Sequence, residues 1–144
     1  MFKKIVVAYN ESPESERALS AAIRLGKSVD ADLHTVSVVA GLPAYTAFAD
    51  AADPSLLQTL EDDHLRFYEL LPQRMREMAQ REGVGILSHV IEGDQVNAIV
   101  DFLRRQKADL LVVGLHQRDL YIARLWSTVY ELAQEAPCSV LGVH

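Results

Sequence analysis

The sequence has little of the material that disulfide scaffolds, membrane proteins and general nucleic-acid binders need. Its single cysteine, Cys138, excludes an internal disulfide and suits a reducing compartment. Its apolar runs are far shorter than the roughly 20 residues that span a bilayer. Lys and Arg number 14 against 20 Asp and Glu, whereas nucleic-acid binding needs clustered cations. We therefore expect a soluble, cytoplasmic protein with no nucleic-acid or membrane partner.

Length and composition describe an ordinary globular chain. Its 144 residues fit one domain, and the hydrophobic share of 49% is typical of such domains. No internal repeat, low-complexity segment or linker divides the sequence. Two lysines precede an apolar run near the start, as in a signal peptide, but that run stops at Asn10 after about five residues. We expect residues 1–144 to form one domain and the first run to be a strand.

Strands and helices alternate along the chain. Apolar, β-branched runs of the kind that are buried on both faces of a sheet predict strands at 3–9, 32–39, 85–91, 109–115 and 138–143. Apolar positions repeat with helical spacing between these runs. Strands that alternate with helices predict a parallel sheet with helices on both faces and right-handed crossovers. Ligands bind such sheets at the carboxyl ends of the strands.

The predicted helices have recognisable beginnings and ends. Ser12 and Asp94 are N-caps, and Pro13 suits the first helical position. A long helix begins at Asp53-Pro54 and ends near Gly83, and its apolar stripe stays in phase across Pro72, which predicts one helix. A last helix is expected at about 125–135. Residues 40–54 lack periodicity and predict a long loop.

Three stretches together resemble the universal stress protein family. Residues 5–12 resemble the family's strand that ends in Asp-Gly-Ser, with Asn10 and Glu11 in place of Asp-Gly. Residues 91–94 resemble its Gly-Asp helix start, and 108–114 with 136–141 resemble its last strand–helix–strand unit. The resemblance covers essentially the whole chain. It implies a single doubly wound five-stranded parallel sheet with helices on both faces, an adenine nucleotide alpha hydrolase-like or Rossmann-like fold.

The same resemblance implies ligands and partners. Many members of the family bind ATP or AMP, and many others do not. Members commonly form homodimers, often through the last strand, which here is Cys138, Ser139, Val140, Leu141, Gly142 and Val143.

The nucleotide-binding branch of the family carries Gly-x2-Gly-x9-Gly-Ser/Thr after the fourth strand, where bare backbone amides approach phosphate. In one register Gln117 replaces the second glycine, Ser127 the third, and Thr128 supplies the hydroxyl. In the other register Trp126 takes the third glycine's place and Ser127 supplies the hydroxyl. In the first register a small residue and a hydroxyl face the phosphates and only Gln117 intrudes. In the second an indole lies where the backbone must touch phosphate, and binding should be weak or absent. Both remain open from the sequence.

The resemblance also assigns positions to a nucleotide, if one binds. Its adenine and ribose would lie against the ends of the first two strands, and its phosphates beside the loop after the fourth. Asn10 can hydrogen-bond a ribose or adenine edge, whereas Glu11 brings negative charge near the entrance. The assigned residues are Ala8, Tyr9, Asn10, Val38, Gly114, His116, Gln117, Ser127 and Thr128.

No catalytic residue and no metal site are predicted, since no acids or histidines have metal-ligand spacing and no general base has a positioned partner. The first functional hypothesis is a dimeric stress-response regulator that acts by protein–protein contact and has a degenerate nucleotide site. The second is a module that signals through bound ATP or AMP. The third is a weak ATPase.

Overall fold

A computed structural model describes residues 1–39, 54–115 and 128–144 of the chain. Strands and helices alternate through these ranges, as the sequence predicts. The elements are β1 (Lys4–Ala8), α1 (Pro13–Val29), β2 (Asp32–Val39), α2 (Pro54–Arg81), β3 (Ile86–Glu92), α3 (Gln95–Gln106), β4 (Leu110–Gly114), α4 (Thr128–Glu135) and β5 (Ser139–Val143). Residues 40–53 of the loop predicted at 40–54, and residues 116–127, lie outside the described residues, whereas Pro54 is the first residue of α2.

The five strands form one sheet in the order β3-β2-β1-β4-β5, and every neighbouring pair is parallel. The chain moves outward from β1 to β3, then crosses back to the other side of β1 to form β4. β1 and β4 are therefore the neighbouring strands at which the direction of winding reverses, and a crevice at their carboxyl ends is the expected ligand position. The predicted doubly wound α/β fold is confirmed.

Helices cover both faces of this sheet. Ile5 and Val7 pack with α1 and α2 in one hydrophobic cluster, whereas Val6 packs with α3 and α4 in the other. All three valine and isoleucine side chains are fully buried, because alternate residues of a strand point to opposite faces. This explains why β1 is a continuous apolar run. We call the two sides of the sheet the α1–α2 face and the α3–α4 face.

The predicted caps are confirmed. The Ser12 hydroxyl accepts a hydrogen bond from the Ser15 backbone N–H at 3.1 Å, and the Asp94 carboxylate accepts one from the Asn97 N–H at 3.1 Å. Each cap fixes the point at which a helix begins just after a strand. The first turns of α1 and α3 are thereby brought to the carboxyl edge of the sheet.

The interior proline, Pro72, lies within the single helix α2, as its in-phase stripe predicts. Leu71, Met75 and Ala79 are buried on its core-facing side. Across the described ranges, no helix has the length and apolarity that a membrane crossing would demand.

Candidate functional site

A cavity of about 330 Å³ opens at the carboxyl ends of β1, β2 and β4. It lies at the point where the winding reverses, and its size suits a small ligand. Its walls come from all three strands and from the beginnings of three helices. The lining residues are Ala8, Tyr9, Asn10, Ser12, Ser15, Val36, Val38, Gln95, Ile99, Val113, Gly114, Thr128, Val129 and Leu132.

The cavity has apolar lining residues on its β2 side and also on its β4 side, where Val113, Val129 and Leu132 lie, and its polar lining residues are concentrated at the helix starts. Val36, Val38 and Ile99 belong to the hydrophobic cluster of the α3–α4 face and form the wall beside β2. The polar side includes Ser12 and Ser15 at the start of α1, and Thr128 at the start of α4. Gln95, the first residue of α3, also borders the space. Such a cavity can hold a flat apolar group at one end and a polar group at the other.

The beginnings of α1, α3 and α4 all border the cavity. The first N–H groups of a helix have no partner inside the helix, and its dipole places about half a positive charge there. In α1 the Ser12 hydroxyl already satisfies one of these groups. At the start of α3 the Asp94 carboxylate already accepts from the Asn97 N–H and offsets the dipole, so the starts of α1 and α4 are the ones that favour an anionic ligand in a protein of net charge −6.

The turn between β1 and α1 has an unusual backbone. Glu11 has φ of 62°, in the left-handed region; the other non-glycine residues described with such φ values are Asp30 and Lys107, which cap the ends of α1 and α3. The Asn10 Oδ1 atom spans the turn by accepting a hydrogen bond from the Ser12 N–H at 3.1 Å. Glycine adopts this conformation at no steric cost, which explains why the family that the sequence resembles has glycine at this position.

The Glu11 carboxylate is paired with a cation on α2. It forms an ion pair with the Arg74 guanidinium, so the negative charge expected at the entrance is compensated by a neighbouring cation. Asn10 and Ser12, on either side of Glu11 in the chain, both line the cavity. The turn therefore presents its uncharged residues to the site.

Gly114 lies where β4 meets α1. A side-chain carbon added there would overlap the backbone carbonyl of Glu14 and would come within 2.7 Å of its Cβ. The absence of a side chain lets the first turn of α1 approach the end of β4. Gly114 thus has a packing role as well as the place in the cavity wall that the sequence predicted.

The structure brings several of the predicted residues together at the cavity. Ala8, Asn10, Val38, Gly114 and Thr128 all line the cavity. Tyr9 borders it too, but its ring is 2% exposed and packs in the cluster of the α1–α2 face, because Tyr9 continues the alternation of Ile5 and Val7. Tyr9 thus borders the cavity while its side chain packs in the core, and its place on the adenine and ribose side stays a prediction.

Three predicted residues, His116, Gln117 and Ser127, lie outside the described residues, as does Trp126. The choice between the two registers of the glycine motif remains a prediction. Among the polar lining residues, sequence reasoning missed Ser15 and Gln95 as site residues and predicted Ser12 only as a helix cap. A signal was present for Gln95, since it directly follows the cap residue Asp94 after a strand end. Ser15 gave no such signal, because a serine in a first helical turn is commonplace.

His34, His89 and Cys138 are titratable groups that do not line the cavity. His34 and His89 stack in parallel planes, with their Nδ1 and Nε2 atoms 3.0 Å apart. Burial lowers the pKa of both, and in His34 the nearby His89 and Lys4 lower it further. Burial raises the pKa of the Cys138 thiol, which disfavours a reactive thiolate. Within the described ranges, no three histidine, cysteine or acidic residues are grouped to hold a metal.

Comparison with known proteins gives a consistent result. The sequence profile of the universal stress protein family matches residues 1–144. A universal stress protein of Methanocaldococcus jannaschii is 31% identical over 99% of this chain and 82% of its own length.

Two solved structures share the fold. A universal stress protein in complex with cAMP has a TM-score of 0.73 at 24% identity, with 99% of this chain and 97% of that chain covered. A universal stress protein family protein from Arabidopsis thaliana with AMP bound has a TM-score of 0.70 at 19% identity, with 98% and 90% covered. On the strength of its sequence match and its fold, the chain belongs to the universal stress protein family.

Proposed function

We propose that the protein binds an adenine nucleotide such as AMP or cAMP in the cavity at the carboxyl ends of β1, β2 and β4, and that it acts as a ligand-responsive module. The observation that carries this proposal is the convergence of three helix starts on a cavity with an apolar wall. The apolar wall buries the flat faces of a purine, and the helix starts donate backbone hydrogen bonds to a phosphate.

The two ends of the cavity suit the two ends of a nucleotide. One apolar wall lies at β2, and α4 follows β4 on the far side of β1. Neighbouring strands are about 4.8 Å apart, so β2 and β4 are separated by about 10 Å. We place the base against Val36, Val38 and Ile99, and the phosphate beside Thr128 and the start of α1. Asn10, next to β2 at the end of β1, then faces the base or the ribose.

Nucleotide complexes within the family support this assignment. The structural relatives named above hold cAMP and AMP. The sequence suggested a degenerate site partly because Glu11 would repel phosphate, and its pairing with Arg74 weakens that objection. Nucleotides with one phosphate are the expected ligands because both structural relatives named above hold such a nucleotide.

Calorimetric titration with AMP, cAMP and ATP tests the proposal. We expect a micromolar dissociation constant for AMP or cAMP, which corresponds to about −8 kcal/mol. Val38→Trp, which fills the apolar side, should weaken binding at least tenfold. Val29→Trp, at the exposed far end of α1, is the matched control and should bind normally. Absence of heat at millimolar concentrations of all three ligands would refute the proposal.

A second candidate function is regulation by protein contact as a homodimer formed through β5. β5 is an edge strand, and its Leu141 is 39% exposed, as suits a strand that pairs with a copy of itself. Light scattering should report a dimer that Leu141→Lys converts to a monomer. Leu87→Lys, on the opposite edge strand β3 and 61% exposed, should leave the dimer intact. A monomeric wild-type protein at micromolar concentration would reject this candidate.

A further inference from the structure

The β1–α1 turn has a conformation that its sequence does not favour. Glu11 is a side-chain-bearing residue in the left-handed region, where a Cβ atom is crowded by the backbone. Strain of this kind persists only where surrounding contacts impose it, and it concentrates at binding sites. The neighbours of Glu11 in the chain, Asn10 and Ser12, line the cavity.

Local hydrogen bonds account for part of this conformation. The Asn10 Oδ1 atom accepts from the Ser12 N–H. The Ser15 hydroxyl donates to the Ser12 carbonyl at 2.9 Å and accepts from the Asn10 N–H at 3.4 Å. These contacts join residues that are at most five positions apart. None of them ties the turn to a distant part of the fold.

The ion pair of Glu11 with Arg74 connects the β1–α1 turn to α2, across 63 positions of the chain. Arg74 lies on α2 between Leu71 and Met75, which are 1% and 0% exposed. Its backbone is thus anchored in the core although its side chain is 59% exposed. Both residues of the pair act on the buried Tyr9 hydroxyl, whose pKa is raised by burial and then by Glu16 and Glu11, and lowered by Arg74.

We propose that Arg74 is a positioning residue for the nucleotide cavity. Arg74 holds Glu11 in its left-handed conformation and thereby positions Asn10 and Ser12 at the cavity wall. The effect on ligand affinity rests on the proposed nucleotide binding. The effect on the turn does not, since it concerns the ligand-free protein. Removal of Arg74 should loosen the turn and weaken AMP binding without any loss of a direct contact to the ligand.

The first test needs no ligand. Solvent exchange of the Ser12 and Ser15 amides is measured by NMR in the wild type, in Arg74→Gln and in Arg76→Gln. Arg76 is the matched control, because its Nε atom donates to the Pro72 carbonyl of its own helix. We expect both amides to exchange at least fivefold faster in Arg74→Gln and at the wild-type rate in Arg76→Gln. Unchanged exchange in Arg74→Gln would overturn the proposal.

The second test measures AMP affinity. Arg74→Gln and Glu11→Gln should each raise the dissociation constant about fivefold or more, and the double variant should be no weaker than either single one. Adding Glu11→Gly to Arg74→Gln should restore most of the affinity, because glycine adopts the turn without help. Additive losses, or a lowered melting temperature with unchanged affinity, would overturn the proposal. A wild-type protein that binds none of AMP, cAMP and ATP would refute the nucleotide function alone, and amide exchange would still decide the role of Arg74.

Discussion

Gly114 at the end of β4 contacts the first turn of α1 so closely that a methyl group there would lie within 2.7 Å of the Glu14 Cβ atom. Contacts at 3.0 Å or below require a shift of one partner, and the nearest atoms here are those of the Glu14 backbone carbonyl. The backbone carbonyl of Glu14 cannot shift unless the whole capped turn of α1 moves with it. The packing of β4 on α1 and the shape of the cavity therefore depend on one missing side chain.

Gly114→Ala should destabilise the protein and reshape the site. Overpacking of this kind costs about 1–3 kcal/mol, and displacement of α1 would move Ser12 and Ser15. We expect a lower free energy of unfolding in urea and at least tenfold weaker AMP binding. Gly85→Ala is the control: a Cβ at Gly85 would meet nothing within 4 Å, so its stability should stay within about 0.5 kcal/mol. Equal stability of the two variants would contradict the packing role.

The His34–His89 pair should make stability sensitive to mild acid. Both pKa values are lowered from their ordinary value of 6.5 in the folded protein, so below pH 6.5 the unfolded chain binds protons that the folded chain does not. The free energy of unfolding therefore has its full value above pH 6.5 and declines as the pH falls below 6.5. Urea unfolding measured from pH 7.5 to 5 should show this decline.

The double variant His34→Val, His89→Val should flatten that pH dependence. The control His144→Gln, at the exposed end of the chain, should keep the wild-type slope. If the wild type and the double variant lose stability in parallel between pH 7 and 5, the histidine pair is not responsible.

Asp109 joins the beginnings of β1 and β4. Its carboxylate accepts hydrogen bonds from the Lys3 N–H at 2.8 Å and the Lys4 N–H at 3.1 Å. Hydrogen bonds to a charged acceptor are worth about 1.5–3 kcal/mol when buried, and these are partly exposed, so Asp109→Ala should cost about 2 kcal/mol in chemical unfolding. Asp101→Ala, an exposed acid with an ion pair at 3.9 Å to Arg104, should change little. A cost as small as that of Asp101→Ala would show that the carboxylate does not hold the strands.

Thr35 is fully buried in β2, and its hydroxyl has no hydrogen-bond partner among the described residues. An unsatisfied buried hydroxyl costs about 1–3 kcal/mol. Thr35→Val should therefore raise the free energy of unfolding by about 1 kcal/mol, which thermal melting can detect as a higher midpoint. The control Thr59→Val removes an exposed hydroxyl that donates to the Ser55 carbonyl at 3.0 Å, and should not stabilise. A destabilised Thr35→Val protein would mean that the hydroxyl has a partner.

Local patterns were sufficient to predict the elements and the edge of the sheet that holds the site. The apolar run at residues 3–9 and the cap residues Ser12 and Asp94 act over a few positions, so they can be interpreted without the fold. Pro72 was assigned to one helix because the apolar stripe continued across it. Once the strands were known to be parallel, Asn10, Val38 and Gly114 had to meet at one edge, since carboxyl ends of parallel strands lie together.

Contacts between distant residues could not be predicted in this way. The sequence by itself determined that Ile5, Val7 and Tyr9 share one face, because side chains alternate along a strand. Only the tertiary structure decided that the cavity's apolar wall belongs to the other face. The pairing of Glu11 with Arg74 depends on how α1 and α2 pack against the sheet. The same packing causes the steric overlap that excludes a side chain at Gly114. Packing sums many weak contacts from the whole chain, and no short segment carries that information.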